Sequence, residues 1–156
     1  MKIVFLNVQT ANEKWSSAAC ETYLEKIKHF HKIEIKTVKS EKNSRENSAL
    51  KKDKDSAAIL NELTSDDYVF LFDEKGKKLN SMEYAQKIQQ GLSSGKKRMV
   101  FIIGGAFGVN SKVLEEANVV VNLSTMTMNH VVAQVMSLEQ TYRAFTILNN
   151  LPYHNE

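Results

Sequence analysis

Four short apolar runs and one segment that alternates between β-branched and charged residues are interspersed along this chain with five segments of helical character. The apolar runs and the alternating segment predict strands at residues 3–7, 32–39, 68–72, 99–103 and 119–123. The segments of helical character predict helices at residues 12–30, 49–63, 80–92, 111–117 and 129–149. Because strands that alternate with helices form parallel sheets, we predict one α/β domain over residues 1–156. Its sheet is expected to be mostly parallel, with helices on both faces.

The composition excludes several classes of protein. The chain has 156 residues, of which 42% are apolar and 25% charged, as in ordinary soluble domains. No apolar run approaches the roughly 20 residues that a membrane-spanning helix needs. The single cysteine, Cys20, rules out an internal disulfide, and no set of His, Cys, Asp and Glu has metal-ligand spacing. We therefore expect a cytoplasmic protein with no metal site and no membrane partner.

Basic residues are concentrated in the first third of the chain. Residues 1–54 contain 12 Lys and Arg against 7 Asp and Glu, whereas the whole chain has a net charge of +3. If the protein binds nucleic acid, this part would supply most of the phosphate contacts. The lysines expected to make them are Lys39, Lys42, Lys51, Lys52 and Lys54. An excess of positive charge of this size is also found on protein surfaces that face solvent and bind no nucleic acid.

A glycine-rich segment, GGAFG at residues 104–108, follows the strand predicted at residues 99–103. Loops that leave the ends of buried parallel strands are where open α/β sheets place small-molecule sites. The glycine spacing matches neither the dinucleotide-binding fingerprint nor the phosphate-binding P-loop, which argues against a nicotinamide-dependent enzyme. Because the segment has no Lys or Arg, it suits an adenosine or another neutral group better than a triphosphate. An ordinary strand-to-helix turn is the alternative interpretation.

A second segment, LSTMTM at residues 123–128, follows the strand predicted at residues 119–123. Its three hydroxyl groups suit hydrogen bonds to a ligand that also has an apolar part. Alternatively, Thr127 or Asn129 caps the last helix, and the two methionines pack in the core. His130 then lies in the first turn of that helix, where the helix dipole disfavours a cationic imidazole. A neutral His130 could accept a proton, although a structural hydrogen bond is the commoner role at such a position.

The last helix and the tail carry further polar and aromatic residues. Glu139 and Arg143 are spaced for an ion pair on one helix face, either at a subunit interface or in solvent. Beyond the helix, Pro152 stiffens the chain before Tyr153 and His154. A tyrosine can stack on a nucleobase and a histidine can hydrogen-bond one, so the tail is a candidate RNA contact. The alternative is a tail that is only tethered to the domain.

Five segments together resemble one protein family. They are FDEKGKKLNSMEYA at 72–85, FIIGGAFGV at 101–109, LSTMTMNH at 123–130, LEQTYRAFTI at 138–147 and PYH at 152–154. In this order, and in a chain of this size, they are similar to the small bacterial SPOUT-class methyltransferases of the RlmH type, which modify ribosomal RNA. The resemblance runs over essentially the whole chain.

This resemblance implies a reaction, a cofactor and an assembly. The reaction is methylation, dependent on S-adenosyl-L-methionine, of N3 of a pseudouridine in 23S ribosomal RNA. The implied partners are large-subunit ribosomal RNA or the ribosome, and a second copy of the chain in a homodimer. The implied fold also includes a C-terminal trefoil knot, which neither composition nor periodicity indicates.

The resemblance also assigns residues to roles. The cofactor site would comprise Phe72, Gly104, Leu123, Ser124, Thr125, Met126, Thr127 and Met128. His130 and His154 are the catalytic candidates, and the sequence does not say which of them takes the proton of the target nitrogen. Arg143 and Tyr153 match positions on the side of the site that meets substrate RNA.

The chain departs from the family pattern at three positions near the predicted substrate site. Asn129 stands where the family usually has Pro, Gln134 where it has Arg, and Asn155 where it has a basic residue. Phe72 replaces a usual Leu, which is a conservative change. Losing two cations weakens the expected contacts to phosphates or bases. An alternative function is therefore a non-catalytic factor that binds RNA or the ribosome through a drifted SPOUT site.

Overall fold

A computed structural model describes residues 1–9, 13–39 and 47–155 of the protein. Asn12, where the first helix was predicted to start, and Lys42 lie outside the described residues. The strands are β1 Lys2–Gln9, β2 Ile33–Lys39, β3 Asp67–Lys78, β4 Arg98–Ile103 and β5 Val119–Asn122. The helices are α1 Lys14–Lys28, α2 Ser48–Leu60, α3 Ser81–Leu92, α4 Ser111–Glu116 and α5 His130–Leu148.

The five strands form one sheet in the order β2-β1-β4-β3-β5. Every pairing between neighbouring strands is parallel. Side chains of α1, α3 and α5 pack on one face of the sheet, and those of α2 and α4 pack on the other. The predicted α/β class, with a parallel sheet covered on both faces, is therefore confirmed.

Aromatic side chains in register hold the centre of the sheet together. Phe5, Phe101 and Phe70 are partners across β1, β4 and β3, and all three are fully buried. Their rings stack with centroid separations of 4.7 Å and 4.9 Å. Alternate residues of β1 point to opposite faces, so that Phe5 meets the layer of α1 and α5 while Leu6 meets the layer of α2.

Asparagine side chains set the starts of four helices. Asn47, Asn80, Asn110 and Asn129 each accept a hydrogen bond from a backbone N–H in the first turn of the helix that follows. At α3 the side chain of Glu83 also returns a bond to the backbone of Asn80, which completes a capping box. At α4, Asn110 is the cap and Ser111 the first helical residue.

The strand predicted to end at Phe72 is instead interrupted there and continues to Lys78. β3 pairs with β5 up to Phe72, the register shifts, and pairing resumes at Lys77 with the same partner, Val121. Residues 73–76 form a bulge that lies against the end of β5. At Gly76 a Cβ would lie only 2.5 Å from the backbone carbonyl carbon of Val121, so that the close approach requires glycine.

The strand order brings the bulge of β3 and the loops after β4 and β5 together. Since all strands are parallel, their carboxyl ends lie at one edge of the sheet. The connection from β4 to β5 passes over β3, and a crevice forms where such a connection changes direction. In the described part of the chain, no helix combines the length and the apolar character needed to cross a membrane.

Candidate functional site

A cavity of about 380 Å³ lies at this edge of the sheet, between the bulge of β3 and the loops that follow β4 and β5. Its lining includes the bulge residues 73–75, the whole glycine segment 104–108, and residues of the hydroxyl segment 123–128. Seven of the eight predicted cofactor residues line it: Phe72, Gly104, Leu123, Ser124, Met126, Thr127 and Met128. Thr125 is the predicted residue that does not. The two segments that the sequence singled out are therefore adjacent in space.

The glycine segment is folded back on itself. The N–H of Gly108 donates to the carbonyl of Gly105 over 3.0 Å, and Gly108 has a φ of +71°, which glycine adopts without strain. A Cβ at Gly104 would lie 3.1 Å from Val109 Cγ1, tighter than ordinary contact. The segment thus presents backbone rather than side chains along part of the cavity, which allows a ligand to approach closely.

The hydroxyl segment is ordered by short side-chain bonds. Asn122 donates from Nδ2 to the carbonyl of Glu74 over 2.8 Å and accepts from the N–H of Ser124 over 2.9 Å. Ser124 Oγ in turn accepts from the N–H of Met126 over 3.0 Å. Met126 is 77% exposed, so the interpretation of this methionine as a core residue is wrong. Asn122 therefore links the β3 bulge to the start of the hydroxyl segment.

His130 begins α5 and lines the cavity. Its Nε2 is buried and has no hydrogen-bond partner among the described residues. Asn129 caps the helix by accepting from the N–H of Val131, and this is the role that the sequence left open between Thr127 and Asn129. An unpaired buried nitrogen costs free energy unless a ligand or a water pairs with it. His130 Nε2 is accordingly a candidate contact for a bound ligand.

Charged side chains of both signs line the cavity. Asp73 and Glu74 bring two carboxylates from the β3 bulge, and Lys75 brings an adjacent ammonium. Lys52 reaches the cavity from α2. Four residues of this lining were not predicted as site residues: Asp73, Glu74, Lys75 and Asn122. Their position directly after two neighbouring strands is the signal that could have identified them.

Arg143, Tyr153 and His154 form a separate cluster at the far end of α5. Arg143 Nη2 lies 2.5 Å from Glu139 Oε1, which confirms the predicted ion pair. The tail docks beside it: Tyr153 donates from its hydroxyl to Glu139 over 3.1 Å, and Arg143 Nη1 lies 3.4 Å from His154 Nδ1. The tail is thus held to α5 by specific contacts.

Neighbouring charges and rings shift the ionisation of this cluster. Burial, the hydrogen bond with Tyr23 and the carboxylate of Glu139 all raise the pKa of Tyr153. The hydrogen bond to Glu139 raises the pKa of Arg143, although burial opposes it. The guanidinium of Arg143 lies 4.7 Å from the centroid of the Tyr153 ring, a cation–π contact. Tyr153 therefore keeps its proton, and Arg143 its positive charge, at any physiological pH.

Within one chain, the structure does not bring the two catalytic candidates together. Thirteen residues of α5 separate His130 from Arg143, which is roughly 20 Å along a helix. His154 lies beside Arg143. The cavity and the tail cluster are therefore two distant sites on a single copy of the chain. Gln134, where the family usually has Arg, is buried at 7% exposure and faces the interior of the chain.

An apolar groove lies between α1 and α5 on the surface that separates these two sites. Its lining consists of Trp15, Tyr23, Val132, Val135, Met136 and Glu139. Trp15 is 52% exposed and Val132 43% exposed, although both side chains are large and apolar. Exposed apolar surface of this kind typically marks a site of protein association.

The chain is similar to proteins that are named as methyltransferases. A family model described as predicted SPOUT methyltransferase matches residues 1–154. The ribosomal RNA large subunit methyltransferase H of Bdellovibrio bacteriovorus is 48% identical over 155 residues, which cover 99% of each chain. The protein of the same name from Phocaeicola vulgatus is 39% identical over 157 residues, which cover 100% of each chain.

A solved structure supports the fold. A probable methylase family protein from Haemophilus influenzae Rd KW20 superimposes with a TM-score of 0.55 at 16% sequence identity. The superposition covers 96% of this chain and 66% of that one, so the chain spans just under two thirds of that protein's length. At this identity the likeness concerns the fold alone.

Proposed function

The chain belongs to the SPOUT methyltransferase family, and on this premise we propose that it methylates N3 of a pseudouridine in 23S ribosomal RNA. The methyl donor that we propose is S-adenosyl-L-methionine. The observation that carries the proposal is the cavity between the β3 bulge and the loops after β4 and β5, which is lined by residues of both predicted cofactor segments and by His130.

The residues of the cavity fit such a donor in three respects. Its volume of about 380 Å³ lies within the usual range of small-molecule sites. The glycine segment contains no cation, which suits the neutral adenosine part. Asp73 and Glu74, together with Lys52 and Lys75, line the cavity with both signs of charge, which suits a ligand that carries positive and negative groups. When bound, S-adenosyl-L-methionine supplies an electrophilic methyl group on a cationic sulfur.

We propose that the chain contributes mainly by positioning. The backbone of residues 104–108 and the side chains of Phe72, Leu123 and Met128 would hold the adenosine and align the reactants, which removes the entropic cost of encounter. Methylation of a ring nitrogen also requires that its proton leaves. His130 is the proposed acceptor at the cavity, because its Nε2 is buried without a partner there.

The basic surface of α2 is the proposed contact for RNA phosphates. Lys51 and Lys52 lie on this helix, and Lys52 also lines the cavity. A lysine at this position could hold a phosphate next to the target nucleotide while the base enters the cavity. Lys39, at the end of β2, is exposed, as such a contact requires.

We further propose that the protein acts as a homodimer through the groove between α1 and α5. Two copies related by a two-fold axis and packed with their α5 helices antiparallel would bring the tail of one copy towards His130 of the other. His154, Arg143 and Tyr153 could then act at the cavity although they lie far from it in their own chain. The trefoil knot and the cytoplasmic location stay predictions from the family resemblance.

Methyl transfer to ribosomal particles tests the function. The full chain would be incubated with S-adenosyl-L-methionine labelled in its methyl group and with free 23S RNA, large subunits or assembled ribosomes from cells that lack the protein. We expect label in one of the three substrates, and mass spectrometry of the digested RNA should place it on N3 of a single pseudouridine. A label found elsewhere, or none in any substrate, would contradict the proposal.

A parallel binding measurement separates the enzyme from the non-catalytic alternative. Calorimetry with S-adenosylhomocysteine, the demethylated product, reports occupancy of the cavity without turnover. Binding together with transfer supports the enzyme. Binding to RNA without transfer to any particle would favour a factor whose site has drifted at Gln134 and Asn155.

A further inference from the structure

The glycine segment leaves the cavity at Asn110, and Asn110 is bonded to α2. Its backbone N–H donates to Ser56 Oγ over 2.9 Å, and its Nδ2 donates to Asp53 Oδ1 over 3.0 Å. Its Oδ1 accepts from the N–H of Val113, and its carbonyl accepts from the N–H of Leu114 over 3.3 Å. All four polar groups of Asn110 are thus used, two of them by α2.

The same helix lies against the start of the glycine segment. Asp55 is 5% exposed, and a Cβ at Gly105 would lie 2.8 Å from its Oδ2. The chain therefore contacts α2 at two places, within the glycine segment at Gly105 and just after it at Asn110. The glycine segment itself, residues 104–108, lines the cavity. Neither Ser56 nor Asp53 lines the cavity.

We propose that Ser56, assisted by Asp53, is a positioning residue for the glycine segment. The two side chains hold Asn110, and through it they hold the glycine segment in the form that binds the methyl donor, without touching the donor. This inference rests on the proposed function, since it requires that the cavity binds S-adenosyl-L-methionine or its product. It assigns to α2 a part in the reaction that the family resemblance did not imply.

The expected effect follows from the population of the binding-competent loop. Ser56 is fully buried, so Ser56→Ala leaves the N–H of Asn110 without its acceptor and loosens the segment. If about a tenth of the molecules keep the competent form, the apparent Kd rises about tenfold, because it equals the intrinsic Kd divided by that fraction. Saturating donor restores the competent form, so that kcat should be unchanged while KM for the donor rises by the same factor.

The experiment compares calorimetric affinities for S-adenosylhomocysteine across matched variants of the full chain. Ser16→Ala is the control for Ser56→Ala, because Ser16 is also a buried helical serine and donates to the carbonyl of Glu13 over 2.8 Å. Asp53→Ala and Asp53→Asn form a second pair at an exposed position. The asparagine keeps an oxygen that can accept from Asn110, whereas the alanine does not.

We expect a Kd about ten times higher for Ser56→Ala, and about three times higher for Asp53→Ala, with Asp53→Asn and Ser16→Ala close to the unmodified chain. If Ser56→Ala does not fold, the exposed Asp53 pair decides. Equal affinity of Asp53→Ala and Asp53→Asn, or an equal loss in Ser16→Ala, would overturn the inference while leaving the proposed function intact. An unmodified chain that binds no S-adenosylhomocysteine would instead refute the proposed function, and this inference with it.

Discussion

Replacing Gly76 by alanine should destabilise the protein and weaken donor binding together. Gly76 ends the β3 bulge, and its Cα packs directly on the backbone of β5. A methyl group there would lie 2.5 Å from the carbonyl carbon of Val121 and 2.7 Å from the nitrogen of Asn122. Non-bonded carbon atoms prefer separations of about 3.5–4.0 Å, so the bulge would have to retreat by roughly 1 Å.

The magnitude follows from what this retreat breaks. Overpacking against backbone, which cannot rotate away, costs about 1–3 kcal/mol. The hydrogen bond of 2.8 Å from Asn122 to the carbonyl of Glu74 would be lost as well, at about 1 kcal/mol. We therefore expect Gly76→Ala to lower the free energy of unfolding by about 3 kcal/mol, or Tm by roughly 6–12 °C.

Urea unfolding followed by circular dichroism measures the stability, and calorimetry with S-adenosylhomocysteine measures the affinity. Affinity should fall at least about fivefold, because Asp73, Glu74 and Lys75 line the cavity and move with the bulge. Gly95→Ala is the control: Gly95 has a φ of +77° but no atom within 4 Å of a Cβ, so it reports backbone strain without a clash. If Gly76→Ala costs no more than Gly95→Ala and leaves the affinity unchanged, the proposed role of the bulge is wrong.

Three further predictions concern the fold, the chemistry and the assembly. Burial alone would raise the pKa of Asp67, but hydrogen bonds from Arg98 and from the N–H of Thr64 outweigh it and hold that pKa below its usual value. The stabilising contribution of this pair is therefore complete above about pH 4 and is lost as the pH falls through the lowered pKa of the folded state. In urea unfolding, Arg98→Met should lower the free energy of unfolding by about 3 kcal/mol at pH 7, and this loss should shrink below pH 4. A loss of stability that does not depend on pH would contradict this reasoning. His130→Ala should lower kcat of methyl transfer by about 100-fold or more, while the Kd for S-adenosylhomocysteine stays within about threefold. A loss of kcat of only about twofold would exclude His130 as the proton acceptor. Trp15 lies in the groove between α1 and α5, and Trp15→Glu should yield monomers in sedimentation and no activity in transfer assays. Met82 is another exposed apolar residue, and Met82→Glu should leave the assembly unchanged. Dimers of Trp15→Glu would place the interface elsewhere.

The elements and the class of the fold were predictable from local patterns. Apolar runs, one alternating run and helical periodicity identified the five strands and five helices of the described residues, because burial on a sheet face or a helix face imposes those spacings on the sequence. Helix starts were predictable to within one or two residues, since an asparagine before each of four helices supplies the acceptor that a first turn needs.

The bulge in β3 was not predictable in the same way. Residues 73–77 have the charges and the glycine of an ordinary turn, and the sequence contains no sign that the strand resumes at Lys77. The resumption depends on β5, which lies more than 40 residues later in the chain and pairs with both halves of β3. A contact of this range leaves no local pattern, so the continuation of β3 beyond the bulge could be recognised only in the folded chain.

By itself, the sequence determined where the strands and helices lie and that a histidine opens the last helix, and it predicted a ligand site in the segments that follow β4 and β5. The tertiary structure decided which of these residues meet. It placed residues 72–75, 104–108 and 123–130 around one cavity, set Asn110 against Ser56, and put the cluster of Arg143, Tyr153 and His154 at the opposite end of α5. The physical reason is that the type of a residue reflects the local environment that its side chain requires. The distance between two side chains depends instead on the strand order and on how α5 packs, and only the assembled sheet and helices define these.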